Sequence, residues 1–416
     1  MTHSHALADG FDLRQLSDAF YDDPYPTFHA LREHAPVKRM PDGSVLLTRY
    51  ADVIAVYKDP KTFSSDKHEE FGPKYGLDSK LFEHHTTSLV FNDPPLHTRV
   101  RRLIAGALTP RHVNAMEDGL VRLVDGLLDA MRVRAEHRET IDLIESFAAA
   151  IPVEIIGNLL GVPHDERGPL RDWSLAILGA LEPALSPEQH ARGNAAVRDM
   201  LGYLEGLVAR RAAAPRDPET DVLTRLIQGE AIAADGGAER LLAKELLHNC
   251  IFLLNAGHET TTNLIGNGLK CLLDAPAQKR RLLAEPELIR TAIEEFLRIE
   301  SSNQLGNRIT TVETHIGDVL LAPRTQVTLC IAAANRDPAQ FADPDVLDIA
   351  RAPNRHVAFG SGIHQCVGMG LGRLEGRIAI SRFLASFPNY RLNGPAVRSR
   401  RVRFRGHIAL PCTLLG

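Results

Sequence analysis

The spacing of hydrophobic positions changes along this chain, and the changes mark out its elements. Pro36–Met40 and Ser44–Thr48 flank a Pro41-Asp-Gly43 turn and read as a strand hairpin. From there to about residue 300, helical spacing dominates. Asp93-Pro94-Pro95 reads as a helix start, with Asp93 as the cap. Turn-forming stretches at Ala212–Pro218 and Ala234–Gly237 interrupt the helices. Leu242, Leu246, Cys250 and Leu253 or Leu254 predict a long helix from about Glu239 to about Leu273, roughly 50 Å at ~1.5 Å per residue. Another helix is predicted over roughly Glu287 to Ile299. Residues 308–330 then turn β-rich at Val312, Val319–Leu321 and Val327–Leu329, and residues 335–365 are irregular and rich in Pro, Asp and Gly. A last helix over Val367–Phe387 precedes a β-like tail at about 390–415. With no repeat and no interdomain linker, the pattern implies one large, mainly α domain with a smaller β-rich part at about 35–50, 308–330 and the tail.

Composition narrows the function classes. Of 416 residues, 44% are apolar and 24% charged, which places the chain among globular proteins. The formal net charge is only −4, so attachment to nucleic acid by bulk phosphate attraction is excluded. Five cysteines lie far apart, with no Cys-x-x-Cys pair, as in a reducing cytoplasm. Met1–Gly10 carries no signal-peptide core, and the longest apolar runs fall short of the ~18 residues of a membrane span. A soluble cytoplasmic protein is expected.

The sharpest chemical feature is Phe359-Gly-Ser-Gly-Ile-His-Gln-Cys366-Val-Gly368. Here a cysteine ends a glycine-rich loop where a helix begins. Unpaired helix N–H groups and the helix dipole favour an anion there, and a thiolate is a good axial metal ligand. Gly360 and Gly362 allow a tight turn and close approach to a flat group. Gly368-Met-Gly370-Leu-Gly372 does not match G-x-G-x-x-G, and His364 with Cys366 lacks further zinc ligands. His258-Glu259 lacks the second histidine that a zinc protease needs, because Thr262 stands there. Gly257 in mid-helix should cost ~1 kcal/mol relative to Ala, and approach to a cofactor face is a reason for it. Thr260 and Thr261 can bond back to their own helix carbonyls.

The cysteine loop resembles the haem-binding signature of the cytochrome P-450 family, the haem-thiolate monooxygenases. Other segments agree in order: Asp23-Pro-Tyr-Pro26, His97-x-x-x-Arg101, Ala256-Gly-His-Glu-Thr-Thr261, Glu295-Phe-Leu-Arg298, Asn335-Arg-Asp-Pro338 and Phe341-Ala-Asp-Pro-Asp345. The resemblance implies haem b with Cys366 as axial thiolate. It implies propionate contacts from His97, Arg101, Arg308 and His356, and walls from Ala256, Gly257, Phe359 and Gly360. It makes Glu295–Arg298 a buried brace, although the spacing alone also suits a surface pair. It implies reductive O2 activation, in which Thr260 holds the activated oxygen by hydrogen bond and Glu259 relays protons. Departures from the pattern are Ser301-Ser302-Asn303 after the brace helix, Pro323-Arg324 in place of a glycine turn, and Gly372 in place of Ala.

No flavin or iron–sulfur motif is present, so the resemblance implies electrons from a ferredoxin or flavodoxin with an NAD(P)H-dependent reductase. Arg99, Arg102 and Arg373 are candidate docking cations. The arginine run Arg398, Arg400, Arg401, Arg403 and Arg405 reads as a solvated hairpin face. A largely apolar or aromatic substrate is expected, hydroxylated or O-dealkylated between Phe82–Val90, Leu170–Leu207, Leu253, Leu254, Ser302 and Leu305. His84, His85 and Lys80 are candidates for a substrate carboxylate, or else an exposed loop. A non-catalytic haem sensor or carrier is the main alternative, although it has no use for Glu259-Thr260. A haem-independent binding module is the other.

Overall fold

A computed structural model describes residues 3–229, 231–232 and 238–415. The predicted loop at Ala234–Gly237 lies outside the described residues. The long helix runs over Ala243–Asp274, 32 residues and about 48 Å. It starts later than the periodicity suggests, because the Glu245 carboxylate accepts the Leu242 N–H (2.9 Å) and closes the first turn there. Its two halves serve different cores. Leu246, Cys250, Ile251, Leu253 and Leu254 pack with helices from residues 71–226. Leu264, Ile265, Leu269 and Leu272 pack with Ile289–Ile299, Met369–Ser386 and the tail. One rod therefore joins two hydrophobic clusters, and the main cavity lies between them.

The predicted hairpin forms as Val37–Arg39 and Val45–Leu47, with Gly43 at φ +85° and the Asp42 carboxylate accepting from Ser44 N–H (3.0 Å). It belongs to a five-stranded sheet ordered Val37–Arg39, Val45–Leu47, Gln326–Cys330, Leu305–Thr310, Phe63–Ser64. Val327 pairs in parallel with Val45 and antiparallel with Arg308, and Phe63 pairs with Thr310. This register carries Arg308 and the chain after Phe63 to the same side of the molecule. Val312 departs from the β prediction: it is an exposed turn residue. The brace helix is Ile289–Ile299, preceded by a 3-10 turn at Pro286–Leu288. The Asp93 cap is also corrected. Helix Leu96–Ala107 has no side-chain cap, and the Asp93 carboxylate instead accepts from Ser64 Oγ (2.5 Å) and Ser65 N–H (2.9 Å). Asp93 ties that helix to the sheet edge. No described helix is long and apolar enough to cross a membrane.

Candidate functional site

The cysteine loop is shaped by its glycines. Gly360 (φ +66°) and Gly362 (φ +68°) occupy the left-handed region, and a Cβ on Gly362 would strike the Tyr57 carbonyl. Cys366 N–H donates to Phe359 O (2.9 Å), closing the loop beneath the cavity. The helix starts at Met369, so Cys366 precedes it rather than opening it. Of the five cysteines, Cys366 alone is exposed and lines the cavity. Its thiol is raised by the protein packed around it, while the Gly368 N–H, Arg101 and Arg373 pull it back down. Burial pushes Cys250, Cys271, Cys330 and Cys412 up to about 12, making them inert thiols.

Around this loop the walls carry more cation and donor than the protein itself satisfies. Arg101 lines the cavity with one bond to Gln365 O (2.6 Å). Arg308 lines it too, bonded to Asn307 O (2.7 Å) over the Tyr57 ring. Among the described residues neither has a carboxylate partner. His364 faces the cavity with its Nε2 unsatisfied, and the His97 ring lies 4.1 Å behind it with both nitrogens unsatisfied. Burial, with Arg101 nearby, pushes His97 down to about 4. Two guanidinium groups without carboxylate partners and unpartnered imidazole nitrogens on His97 and His364 suit a cofactor with two carboxylates, and one accessible thiol suits a single axial metal bond. Both fit haem. His356 is not brought to the cavity. Its Nε2 contacts Glu294 (3.1 Å), which also accepts two bonds from Arg373 (2.7 and 2.8 Å). Phe359, Gly360, Ala256, Gly257 and Thr260 line the cavity.

The central helix faces this loop. Thr260 Oγ1 donates to Ala256 O (2.7 Å), as its sequence allows. Thr261 does not turn back; its hydroxyl donates to Glu375 (3.3 Å), a carboxyl that burial raises to about 8. Gly257 borders the cavity and also a helix crossing, where a Cβ would meet Ile156 Cδ1 at 2.9 Å. Glu259 is buried and held by both oxygens on Arg401 Nη1 (2.6 and 2.7 Å). Burial raises it to about 7, and Arg401 restrains the rise.

Arg401 was not legible as a site residue, and the solvated-face reading of the tail is corrected. Arg398 and Arg405 pair with buried Glu300, Arg401 with Glu259, and only Arg400, bonded to Asp18, is a surface pair. His84 and His85 are also corrected. They sit in helix Lys80–Thr87, buried, and burial holds His85 down to about 3 and His84 well below its usual value. That corrects the exposed-loop alternative; both histidines line the cavity, and Lys80 is engaged with Glu83 (2.8 Å). Of the docking cations, Arg99 is paired with Glu245 (2.5 Å) and Arg373 with Glu294, so their charge is largely spent within the chain.

The brace is built in full. Glu295 and Arg298 are both completely buried and bond twice (2.8 and 2.7 Å). Arg298 then donates to Asn335 O and Pro344 O, and Glu295 accepts from Arg351 and Asn354. One ion pair thus fixes the irregular segment that leads to the cysteine loop.

Comparisons with known proteins bear on the family of the chain. The cytochrome P-450 family model matches residues 27–392. The chain is similar to the vitamin D(3) 25-hydroxylase of Pseudonocardia autotrophica, 38% identical with 91% of this chain and 89% of that protein covered. It is similar to the biotin biosynthesis cytochrome P-450 of Bacillus subtilis, 33% identical over 95% and 98% of the two chains. Among solved structures, a cytochrome P-450 in complex with an acyl carrier protein ligated to hexadec-9Z-enoic acid superposes with a TM-score of 0.88 at 32% identity, covering 95% and 100%. A Bacillus megaterium protein of the family in complex with testosterone gives 0.84 at 29%, covering 96% and 100%. With sequence and fold matching over nearly its whole length, this chain belongs to the cytochrome P-450 family.

Proposed function

We propose that this chain is a cytoplasmic monooxygenase that inserts one oxygen atom from O2 into a largely apolar organic substrate, with electrons delivered by a separate ferredoxin- or flavodoxin-type donor and its NAD(P)H-dependent reductase. The single observation that carries this reading is that one cavity-lining cysteine, Cys366, shares the cavity with the Thr260 hydroxyl of the central helix, beside the buried Glu259 carboxyl. Haem bound through a thiolate supplies reductive O2 activation and oxygen-atom transfer. Cys366 would hold its iron, and Arg101, Arg308 and the His97–His364 pair would hold its carboxylates. Ala256, Gly257, Phe359 and Gly360 would flank its faces. His356 acts at one remove, keeping Glu294 and Arg373 in place beside Phe359.

Proton supply falls to the central helix. Thr260 projects into the cavity, and its hydroxyl can give up the Ala256 bond to hold an oxygen atom and donate to it. Glu259, one residue away and near half protonation at neutral pH, can pass protons inward if Arg401 releases it. A sensor or carrier needs neither group. A relative named for vitamin D(3) and a neighbour solved in complex with testosterone support an apolar substrate. The test is NADH-driven turnover with surrogate redox partners on Thr260→Ala. Substrate oxidation per electron should fall several-fold while hydrogen peroxide rises; unchanged product yield would remove Thr260 from the reaction.

A further inference from the structure

Away from the cysteine loop, the same cavity is bordered by Lys67, Glu70, His85, Ser302, Asn303 and Arg403. The sheet assembles this group. Phe63–Ser64 pairs along Leu305–Thr310, bringing Lys67 beside the strand that follows Ser302 and Asn303, and the tail bridges back at Asn303 to Phe404. Lys67 Nζ lies 2.9 Å from the Glu70 carboxylate, so these two charges cancel. Ser302 Oγ and His85 Nε2, on side chains more than nine-tenths buried, have no hydrogen-bond partner, nor does Asn303 Oδ1. Such groups are costly to bury unless something in the cavity bonds to them.

Arg403 stands apart from the rest of its tail. Arg398, Arg400, Arg401 and Arg405 each have a carboxylate partner. Among the described residues no carboxylate forms an ion pair with the Arg403 guanidinium, although its backbone N–H donates to the buried Glu182 carboxylate (3.2 Å) and the two charges interact. The guanidinium donates to Leu181 O (3.1 Å), Leu305 O (2.9 Å) and Asn307 Oδ1 (2.6 Å), all neutral, which leaves two of a guanidinium's five N–H groups. The cavity's charge then has a remainder. Arg101 and Arg308 stand at the cysteine loop, where the proposed function assigns them to a dicarboxylate cofactor. Lys67 is cancelled by Glu70. Glu375, raised to about 8, is mostly protonated at neutral pH. Arg403 remains as the cavity-lining cation with no ion-pair partner among the lining residues, its anion Glu182 standing outside the cavity lining and held by the backbone N–H of Arg403; Phe71, Leu89, Ile177 and Leu178 line the same cavity.

We propose that Arg403 binds a carboxylate of the substrate, with Ser302 as a second donor, so that this enzyme takes apolar molecules bearing one carboxylate. The assignment rests on the monooxygenase reading above. The guanidinium fixes the acid end in a site poor in water, and the apolar body extends along the cavity toward the cysteine loop. Arg403 is here a residue of substrate positioning and choice.

The test uses the haem-loaded enzyme and matched pairs of a free acid and its methyl ester, built on a straight C12 chain, a biphenyl and a steroid body. Binding is read by calorimetry and by the haem spin-state shift. For at least one body the acid should bind about ten- to a hundredfold tighter than its ester, the range of a charged hydrogen bond in a buried site. Arg403→Gln should erase that preference while leaving ester affinity unchanged, and Arg403→Lys should restore part of it. No acid preference for any body, or a preference that survives Arg403→Gln, would overturn the proposal. The reduced-CO spectrum of each variant shows separately whether the haem site is intact, so failure of the monooxygenase reading is distinct from failure of this one.

Discussion

Glu259 concentrates the chemistry of the site in one carboxyl. Its folded value is about 7 because burial outweighs the pull of Arg401. The raised value means the proton-bearing form dominates below about pH 7 and is lost as pH rises through it. Product formed per electron should therefore decline across that range in the wild type, and Glu259→Gln should give a low, flat profile; a wild-type yield with no limb near 7 would contradict the assignment. Arg401→Gln removes the cation that restrains the carboxyl, so the limb should move to higher pH in the same steady-state measurements. The buried brace answers to stability instead. Arg298→Ala strands Glu295 without its main partner and should cost ~3–5 kcal/mol in equilibrium unfolding, with haem loss alongside. The brace, Thr260 and Cys366 were legible because each lies in a short local motif. Arg401 and Arg403 were not, because their partners are distant in the chain and a run of alternating arginines looks alike in water and in an ion-pair network.

Helices were the most legible elements, since a periodic apolar stripe belongs to the helix itself. Their ends were less so: Glu245 moves one start inward, and Asp93 turns from a cap into a strand tie. Strand neighbours were illegible, because Val45 pairing with Val327 depends on chain closure across almost 300 residues. Gly257 shows the same limit. Its position signals close approach, and only the packed helices show that Ile156 is what approaches. Gly257→Ala should cost ~1–3 kcal/mol by overpacking, and Ile156→Val should recover part of it, giving a non-additive double-mutant cycle in thermal unfolding. Additive losses would mean that the crossing is looser than described.

At the scale of the whole molecule, two hydrophobic clusters meet along one helix and share a cavity at their junction. A haem held there would contact both, so its binding free energy would add to folding stability. Haem-free protein should unfold at lower temperature than the loaded form, by several degrees, with an earlier loss of structure around the cavity seen by hydrogen exchange. Electron delivery belongs to this scale too. Arg99 and Arg373 already have carboxylate partners, so reversing their charge would leave two like charges at each place; if these cations guide an acidic donor, reduction should slow and its salt dependence weaken, and an unchanged rate would place the docking cations elsewhere. The most direct test of the account is the reduced-CO difference spectrum of wild-type protein beside Cys366→Ser. The wild type should show the strongly red-shifted band of a thiolate-ligated haem, and the variant should lack it; a variant that keeps the band would contradict Cys366 as the axial ligand.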